Sequence, residues 1–600
     1  MPLVNILSYR NRNLSAVLCS LTFALFVQSE SFAQSSPAAS QLWFSDLPAE
    51  PVPAPLRDGA VNCVKAALAG RNFQSEPAYQ ELARDTAPRI LFLSVSDGKG
   101  PARVQVASEK GMGAALKKLL ELQPLKPAGE NAQWTRFDIV EHATRIPGAA
   151  WLFPVALGPG LEGLAFSKES QVAFLPQEIF SYDLLSPEAL FREENLKAHA
   201  GGRALPKDLS EFYRFTTTSF FFEKGEAIPL YRGHRLIPPV TPDQVLETAR
   251  NAGKYLTRAV QQDGSFIYDY HAAPNVVPPG YNILRHAGTA YSMFELYAVT
   301  RDEELLQAGK RALEFLIKQI QPKNIDGEEV ALLVEKDEAK LGGNGLAIIA
   351  LTQYTVVTGD KQHLPLMKRL GRWIQKIQDK DGRFTVHKLD VSTGKAAEFE
   401  SRYYPGEAIL SMMRLHSITR EETWVDTAYR GASHLIMVRD KGIAEDKIAH
   451  DHWLLYALNE LHRAKPRKEF LDHAMLITRA IIKFQISNAK YPDWNGGFRP
   501  PPTSNPVATR TEGLCAAYQL ARDYQQPELA QLRPTIHRAL TFQLQLMQRP
   551  EAVMYFKDPQ RCLGAFTESF IDSSIRIDTQ QHSISALVNG AKILKEPESK

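Results

Sequence analysis

The chain has 600 residues, more than a single hydrophobic core usually organises, so two or three domains are expected. Hydrophobic residues make up 44% and charged residues 23%, which is ordinary for a soluble globular protein. The formal net charge is only +3 and no run rich in lysine and arginine stands out, so a nucleic-acid partner is not expected.

The N-terminus has the pattern of an export signal. Arg10 and Arg12 precede an apolar run over 14–27 that is short for a membrane span, and Ser-Phe-Ala at 31–33 is a small-x-small cleavage site. We predict a signal peptide over residues 1–33 and a periplasmic or secreted protein, with an uncleaved anchor as the alternative. No later stretch is apolar enough to cross a membrane, so no span is expected after signal removal.

Two regions of different composition follow. Residues 34–57 are rich in serine, proline and alanine, which is typical of a linker. Residues 58–235 mix apolar runs of strand length with amphipathic helical segments, so we predict an α+β domain there. The predicted elements are strands at 89–97 and 151–158, helices at 112–123 and 186–199, and two short strands joined by a turn within 160–180.

This layout, with the hairpin of 160–180 running into Phe-Leu-Pro-Gln, resembles the AMMECR-type α+β domain. The Cys-containing signature of that family, Leu-Arg-Gly-Cys-Ile-Gly, is absent, so the resemblance implies a fold and no site residue. We interpret the domain as a structural or substrate-guiding module.

A pattern of two helices returns six times in residues 240–600. In each unit a polar amphipathic helix is followed by a long loop and a more apolar helix, whereas the link to the next unit is short. The first helices should begin near Thr241, Asp302, Gln362, Thr423, Glu469 and Glu528, and the second near Asn282, Gly343, Pro405, His450, Thr509 and Asp578. Six hairpins can close a ring in which each buries its apolar face against its neighbours, so we predict an all-α (α/α)6 toroid after the α+β domain.

Turn motifs support this reading. Asp-Gly-Ser-Phe at 263–266, Asp-Gly-Arg-Phe at 381–384 and Asn-Gly-Gly-Phe at 495–498 occupy corresponding long loops. With these turns, the hairpin count and the loop asymmetry, the domain resembles the (α/α)6 toroids of the six-hairpin glycosidase group. That group includes unsaturated glucuronyl hydrolases, sugar 2-epimerases and the helical domains of polysaccharide lyases and uronyl C5-epimerases. The resemblance implies a fold and a carbohydrate substrate class rather than one reaction.

Polar side chains cluster where the second helices begin, which in a toroid is one end of the ring. Asp and Glu can act as acid, base or nucleophile at a glycosidic bond, and arginine binds carboxylate or sulfate through paired hydrogen bonds. The candidate catalytic carboxylates are Glu512, Asp578, Glu407 and Asp451, with Glu512 and Asp578 as the leading acid and base. The candidate substrate-binding residues are Arg285, His286, Asn344, Arg402, Tyr403, Tyr404, His452, Arg510, Gln581 and His582.

Several of these residues also have a purely structural interpretation. Glu407 and Glu512 fall in predicted first turns, where an acid favours the helix dipole, and Asp578 can be an N-cap. Four arginines near one mouth, including Arg576, indicate an anionic glycan such as a polyuronate. Alternatively, those arginines are neutralised by Glu398, Glu400 and Asp572.

We expect an exported carbohydrate-active enzyme that hydrolyses a glycosidic bond with paired carboxylates. One alternative is a uronate lyase or C5-epimerase, in which arginine neutralises the carboxylate and Tyr403, Tyr404, His286 or His452 removes the C5 proton. Another is a non-catalytic glycan-binding or assembly protein of the cell envelope. His450-x-His452 has no further ligand at a recognisable metal spacing, and phosphate-loop, Rossmann and His-Glu-x-x-His motifs are absent, so no metal and no cofactor are expected.

Overall fold

The computed structural model describes residues 42–123, 125, 134–147, 158, 160–168, 172–182 and 211–597. The predicted signal peptide at 1–33, the predicted helix at 186–199 and all but the last residue of the predicted strand at 151–158 lie outside these ranges.

The N-terminal part is an antiparallel sheet of eight strands with helices packed on it. The strands are β1 (Pro88–Ser96), β2 (Arg103–Lys110), β3 (Trp134–Pro147), β4 (Gly163–Ala165), β5 (Ala173–Phe174), β6 (Glu211–Glu223), β7 (Glu226–Tyr231) and β8 (His234–Arg235). Their order is β2-β1-β3-β6-β4-β5, and β7 pairs with both β6 and β8. The helices are α1 (Ala54–Leu68), α2 (Pro77–Leu82), α3 (Met112–Leu122) and α4 (Pro176–Ser181).

Strand β1 is buried from Arg89 to Ser96 because both faces of the sheet are covered there. Leu91 and Leu93 pack into the core formed with α1 and α3. Ile90 and Phe92 point to the other face, where they join a cluster that includes Tyr555 from the helical part of the chain. A strand buried on both faces reads as a continuous apolar run rather than an alternating one.

The described end of the predicted linker is packed rather than free. Trp43 is 1% exposed, and its indole nitrogen donates a hydrogen bond to the carbonyl of Phe166 at 2.7 Å. Helix α1 already begins at Ala54. The linker interpretation of 34–57 therefore does not hold for residues 42–57, because two aromatic side chains, Trp43 and Phe44, anchor the segment in a core.

The helical part is a ring of six hairpins. The outer helices are α5 (Pro242–Ala259), α7 (Glu303–Lys318), α9 (Leu364–Lys376), α11 (Glu422–His434), α13 (Lys468–Lys483) and α15 (Leu529–Leu546). The inner helices are α6 (Ile283–Thr300), α8 (Leu341–Thr358), α10 (Tyr404–Thr419), α12 (His452–Ala464), α14 (Ser504–Asp523) and α18 (Ile577–Lys595). Each inner helix packs against the next, and α18 packs against α6, so the ring closes and the expected α/α toroid is confirmed.

The glycine turns are explained by contacts between neighbouring hairpins. Gly264, Gly382 and Gly496 all have positive φ, and a Cβ on any of them would lie 2.1–2.3 Å from a backbone carbonyl of the following outer helix. Only glycine fits such a position. Gly564 makes the same kind of contact, because its Cβ would lie 2.5 Å from the carbonyl of Asn251 in α5. This fourth turn joins the last long loop to the first outer helix, and its Leu-Gly-Ala-Phe sequence lacks the Asp-Gly or Asn-Gly signal.

The ring is not all-α, contrary to the sequence prediction. Strands β10 (Ile320–Ile325), β11 (Glu328–Glu335), β12 (Glu338–Lys340) and β13 (Lys388–Asp390) form a sheet over the second and third hairpins. Strand β9 (Asp269–His271) pairs with β14 (Ser574–Arg576) and joins the first and sixth hairpins. The middle of β11 is a buried apolar run that packs on α9, so these loops are ordered by tertiary contact. Two short helices, α16 (Pro550–Val553) and α17 (Pro559–Cys562), precede α18.

None of the helices in the described ranges is both long and apolar enough to cross a membrane.

Candidate active site

A cleft of about 350 Å³ opens where the inner helices begin. The predicted site residues that line it are Arg285, Tyr403, Tyr404, Glu407, His452, Arg510, Asp578, Gln581 and His582. They come from five of the six inner helices or the residues just before them, as the toroid geometry requires. The lining residues outside the predicted set are Leu284, Leu346, His450, Trp453, Asn505, Pro506, Thr509 and Arg576.

Asp578 is the centre of an ion-pair network at one side of the cleft. Arg576 binds it with two nitrogens, Nε to Oδ1 at 2.6 Å and Nη2 to Oδ2 at 3.1 Å. Arg285 Nε lies 3.2 Å from Oδ2, and the Asn505 amide donates to the same oxygen at 3.0 Å. Burial opposes the charge of Asp578, but the hydrogen bond from Arg576 and the charge of Arg285 outweigh it, so the pKa of this carboxyl is lowered. Asp578 is therefore an ionised anchor for two arginines.

A second group, the histidine–glutamate cluster, consists of His452, Glu512 and His582. Glu512 Oε2 lies 2.7 Å from His582 Nδ1 and 3.8 Å from His452 Nε2. The two imidazole rings meet edge to face with centroids 5.1 Å apart. Both histidines line the cleft, whereas Glu512 is fully buried behind them.

The protonation of this cluster is shaped by burial. Burial raises the pKa of Glu512 to about 7, although His582 opposes the rise. Burial, together with the nearby His582 and Arg510, holds the pKa of His452 well below its usual range. His452 is thus a neutral imidazole, and its Nε2 has no hydrogen-bond partner among the described residues. A neutral histidine beside a histidine–carboxylate pair is suited to accepting and returning protons.

Glu407 is the one predicted catalytic carboxyl that both lines the cleft and has an oxygen free. It is 4% exposed, and its Oε2 makes no hydrogen bond within the described part of the chain. Burial, with the nearby Asp451, raises its pKa to about 8. Gly342 makes room for this side chain, because a Cβ there would lie 1.9 Å from Glu407 Oε2. The raised pKa favours the protonated form of Glu407 near neutral pH.

Arg510 lies on the α14 wall of the cleft. Its Nε donates to His450 Nδ1 at 3.0 Å and its Nη1 to the carbonyl of Pro506 at 2.8 Å. Burial, with the nearby Arg499, lowers the pKa of Arg510 to about 10. Burial also lowers the pKa of His450 to about 4, so this histidine is a neutral acceptor.

Besides Glu512, four predicted site residues lie outside the cleft lining, and three of these have structural contacts instead. His286 bridges the hydroxyl of Tyr281 and the carbonyl of Ala312, at 2.7 and 2.8 Å. Asn344 holds β11 through the backbone of Leu333 and Ala331, at 2.8 and 3.1 Å. The remaining two are Asp451, which caps α12 through the backbone nitrogen of Leu454 at 3.0 Å, and Arg402, which is exposed.

The sequence interpretation of Glu512 also needs correction. Helix α14 begins at Ser504, not near Thr509, because Pro506 is accommodated in the first turn, where no intrahelical amide bond is needed. Glu512 consequently lies in the third turn, beyond the favourable end of the helix dipole, and its charge is not explained by capping. The same shift brings Asn505 into the site, which sequence reasoning missed.

The histidine–glutamate cluster also offers three ligand atoms within 4.8 Å of one another, the arrangement a metal ion could use. Two of those atoms, on His582 and Glu512, already satisfy each other at 2.7 Å. Three arginines, Arg285, Arg510 and Arg576, share the cleft with the cluster and oppose a bound cation. The histidine–glutamate cluster is therefore better suited to proton transfer than to binding a metal ion.

A larger groove of about 740 Å³ lies between the sheet and α5. No histidine, aspartate or aromatic residue is among its described lining residues, so it offers less acid–base chemistry than the cleft.

No protein-family model matches the chain, and no curated protein sequence matches it. The AMMECR-type resemblance thus stays a prediction. Among solved structures, a D-mannose isomerase is 13% identical, with a TM-score of 0.43 over 59% of this chain and 97% of the other. The α-1,6-mannanase GH76A of Salegentibacter sp. HEL1_6 is 13% identical, with a TM-score of 0.41 over 58% and 100%. The cellobiose 2-epimerase of Bacillus thermoamylovorans B4167 is 12% identical, with a TM-score of 0.42 over 57% and 99%.

Proposed function

We propose that the protein is a carbohydrate-active enzyme that moves a proton on a bound sugar, as a lyase or an epimerase does. The observation that carries this proposal is the 2.7 Å hydrogen bond between His582 Nδ1 and Glu512 Oε2, with the unpartnered Nε2 of His452 beside it. A carboxylate behind a histidine fixes the orientation of the ring and leaves the opposite nitrogen for proton transfer.

The proton-transfer roles follow from the positions around the cleft. His582 Nδ1 is occupied by Glu512, so Nε2 is the nitrogen available to take a proton from a sugar carbon or hydroxyl. Glu407, with its pKa near 8, is the protonated group that can return one. Removal of a proton from carbon needs a base on one side of the sugar and an acid or cation on the other. His582 would supply the base and Glu407 the acid.

The lining favours a sugar over a flat apolar ligand. Tyr403, Tyr404 and Trp453 provide ring surfaces, while Asn505 and Gln581 provide amides for hydroxyl groups. Aromatic rings beside fixed hydrogen-bonding groups are typical of a pocket that must bind the apolar face and the polar rim of one molecule.

Hydrolysis by paired carboxylates, the reaction first expected from the sequence, has less support. The two leading carboxylates do not form a free pair, because Asp578 is held by two arginines and Glu512 is buried behind His582. Hydrolysis remains a second candidate on one specific observation: Glu407 has the raised pKa that a general acid needs at neutral pH.

Solvent exchange separates the two reactions. Purified protein would be incubated in D₂O with a panel of sugars and glycans. NMR would follow deuterium at ring carbons, ultraviolet absorbance would follow unsaturated uronides, and a colour assay would follow new reducing ends. We expect carbon-bound deuterium or an unsaturated product, lost in His582→Gln and Glu512→Gln and kept in the control His363→Gln, which lies outside the cleft.

New reducing ends without carbon exchange, undiminished in His582→Gln, would refute proton transfer and favour hydrolysis. Binding of a glycan with no chemical change in any of the three assays would favour the alternative of a non-catalytic glycan-binding protein. We further propose that the enzyme acts outside the cytoplasm, on the export pattern of residues 1–33. Recovery of a mature N-terminus after residue 33 from an extracytoplasmic fraction is the expected result.

A further inference from the structure

The arginines of the cleft are not equivalent, and the difference indicates where a negative charge of the ligand binds. We infer that Arg510 is the subsite for one carboxylate group of the substrate, so that the sugar is a uronic acid. This inference rests on the proposed carbohydrate function for the nature of the ligand, but not on the reaction.

Two of the three cleft arginines already have an anion. Arg576 makes a two-nitrogen contact with Asp578, and Arg285 lies 3.2 Å from the same carboxylate. Each therefore has a carboxylate partner that holds its guanidinium in place, although the single charge of Asp578 offsets only one of the two positive charges. Arg510 differs: no carboxylate in the described part of the chain lies within 4.0 Å of it, although it is part of the same lining.

The contacts of Arg510 fix its orientation without neutralising it. Two of its three nitrogens donate to neutral acceptors, His450 Nδ1 and the carbonyl of Pro506. Its guanidinium carbon also lies 5.9 Å from the ring centroid of Phe498. The third nitrogen, Nη2, has no hydrogen bond to the described residues and is not among the buried unpartnered atoms, and the residue lines the cleft. A guanidinium held on two sides and open on the third is organised in advance for an incoming carboxylate.

The surrounding charges favour an anion at this point. The exposed Arg499, which has no ion pair in the described ranges, adds a second positive charge near Arg510. A bound anion would reduce the repulsion between these two arginines. Glu407 is mostly protonated at neutral pH and Asp578 is compensated, so neither repels a carboxylate strongly. The cleft thus carries an excess of positive charge on the side of α14. One guanidinium with one free nitrogen suits the single charge of a uronate.

The test compares matched pairs of sugars. Short oligomers of glucuronate, mannuronate and galacturonate would be titrated calorimetrically against the corresponding neutral oligomers of glucose, mannose and galactose. In the unmodified protein we expect at least one uronate to bind roughly tenfold tighter than its neutral partner, as a charged hydrogen bond implies. The ratio of uronate affinity to neutral-sugar affinity should fall as salt is added, because the subsite is partly open to solvent.

The variants make the assignment specific. Arg510→Gln should remove the preference for the uronate, so that the uronate binds no more tightly than its neutral partner. Arg510→Lys should retain part of it, since the charge stays and the planar fork is lost. Arg250→Gln is the matched control, because Arg250 is an exposed arginine of α5 outside the cleft lining, and it should behave like the unmodified protein.

Three results would overturn the inference in distinguishable ways. Equal affinity for uronates and neutral sugars, or an unchanged preference in Arg510→Gln, would remove the carboxylate subsite and leave the carbohydrate function intact. Tighter binding of sulfated neutral oligomers than of uronates would assign the charge to a sulfate ester instead. Failure of every oligomer to bind would contradict the carbohydrate function itself.

Discussion

Replacing Glu407 by glutamine should change how the stability of the protein depends on pH. Glu407 is 4% exposed, and burial, with the nearby Asp451, raises its pKa from 4.5 to about 8. The folded protein therefore holds this proton more tightly than the unfolded chain. The resulting stabilisation is fully present below the unfolded pKa and is lost as the pH rises through the folded pKa. Glutamine keeps the shape, carries no charge and removes this dependence.

The pKa shift sets the size of the effect. A rise from 4.5 to about 8 corresponds to an upper limit of roughly 5 kcal/mol, at 1.36 kcal/mol per pKa unit. Most of that stabilisation disappears between about pH 5 and pH 8.5. Over this interval we expect the free energy of unfolding of the unmodified protein to fall by roughly 3–4 kcal/mol more than that of Glu407→Gln.

Urea unfolding at the two pH values measures the difference directly. Glu398→Gln is the control, because Glu398 is an exposed glutamate shortly before the same helix, and its profile should parallel that of the unmodified protein. Parallel profiles for Glu407→Gln and the unmodified protein would show that Glu407 is ionised without cost, and would refute both the raised pKa and its role as a proton donor.

Three further changes test other parts of the site. Asp578→Asn should lower the free energy of unfolding at neutral pH by about 1–3 kcal/mol, because it weakens the charged hydrogen bonds of two arginines that are still partly exposed to water. Since the pKa of Asp578 is lowered, its contribution is present above the unfolded pKa and fades in acid, so urea unfolding near pH 3 should show a smaller loss. Gly342→Ala should displace Glu407 and reduce turnover, whereas Gly343→Ala, whose Cβ would have no neighbour closer than 3.5 Å, should not; equal turnover would contradict the packing argument. Dialysis against EDTA should leave the thermal unfolding midpoint unchanged, and a fall that zinc restores would instead place a metal in the histidine–glutamate cluster.

The fold was predictable because its signals are local and repeated. The turn glycines at 264, 382 and 496, and caps such as Asp302, each mark one boundary without reference to the rest of the chain. The strands of 320–340 escaped prediction because a run such as that of β11 becomes a strand only when α9 covers it. Helix α14 begins earlier than expected because a proline in the first turn of a helix interrupts no intrahelical hydrogen bond.

The site was predictable in its location but not in its chemistry. The sequence places acids and arginines at the starts of inner helices, and the ring brings most of them to one cleft. Which carboxylate stays free depends on pairing between hairpins far apart in the chain. Asp578 pairs with the nearby Arg576 and also with Arg285, nearly three hundred positions earlier, and Glu512 is covered by His582. Such pairings appear only when the ring is closed.

The seam between the first and last hairpins has a consequence for how the protein is made. Helix α18 packs against α14, α6 and α5, and Lys595 near its end lies 3.4 Å from Asp243 at the start of the ring. A ribosome releases the hairpins in order, so a growing chain that lacks 574–595 presents the apolar sides of α6 and α14 to water. The anchor for two cleft arginines, Asp578, emerges with the same segment. The cleft is therefore complete, and open to stabilisation by a ligand, only after the final helix has joined the ring.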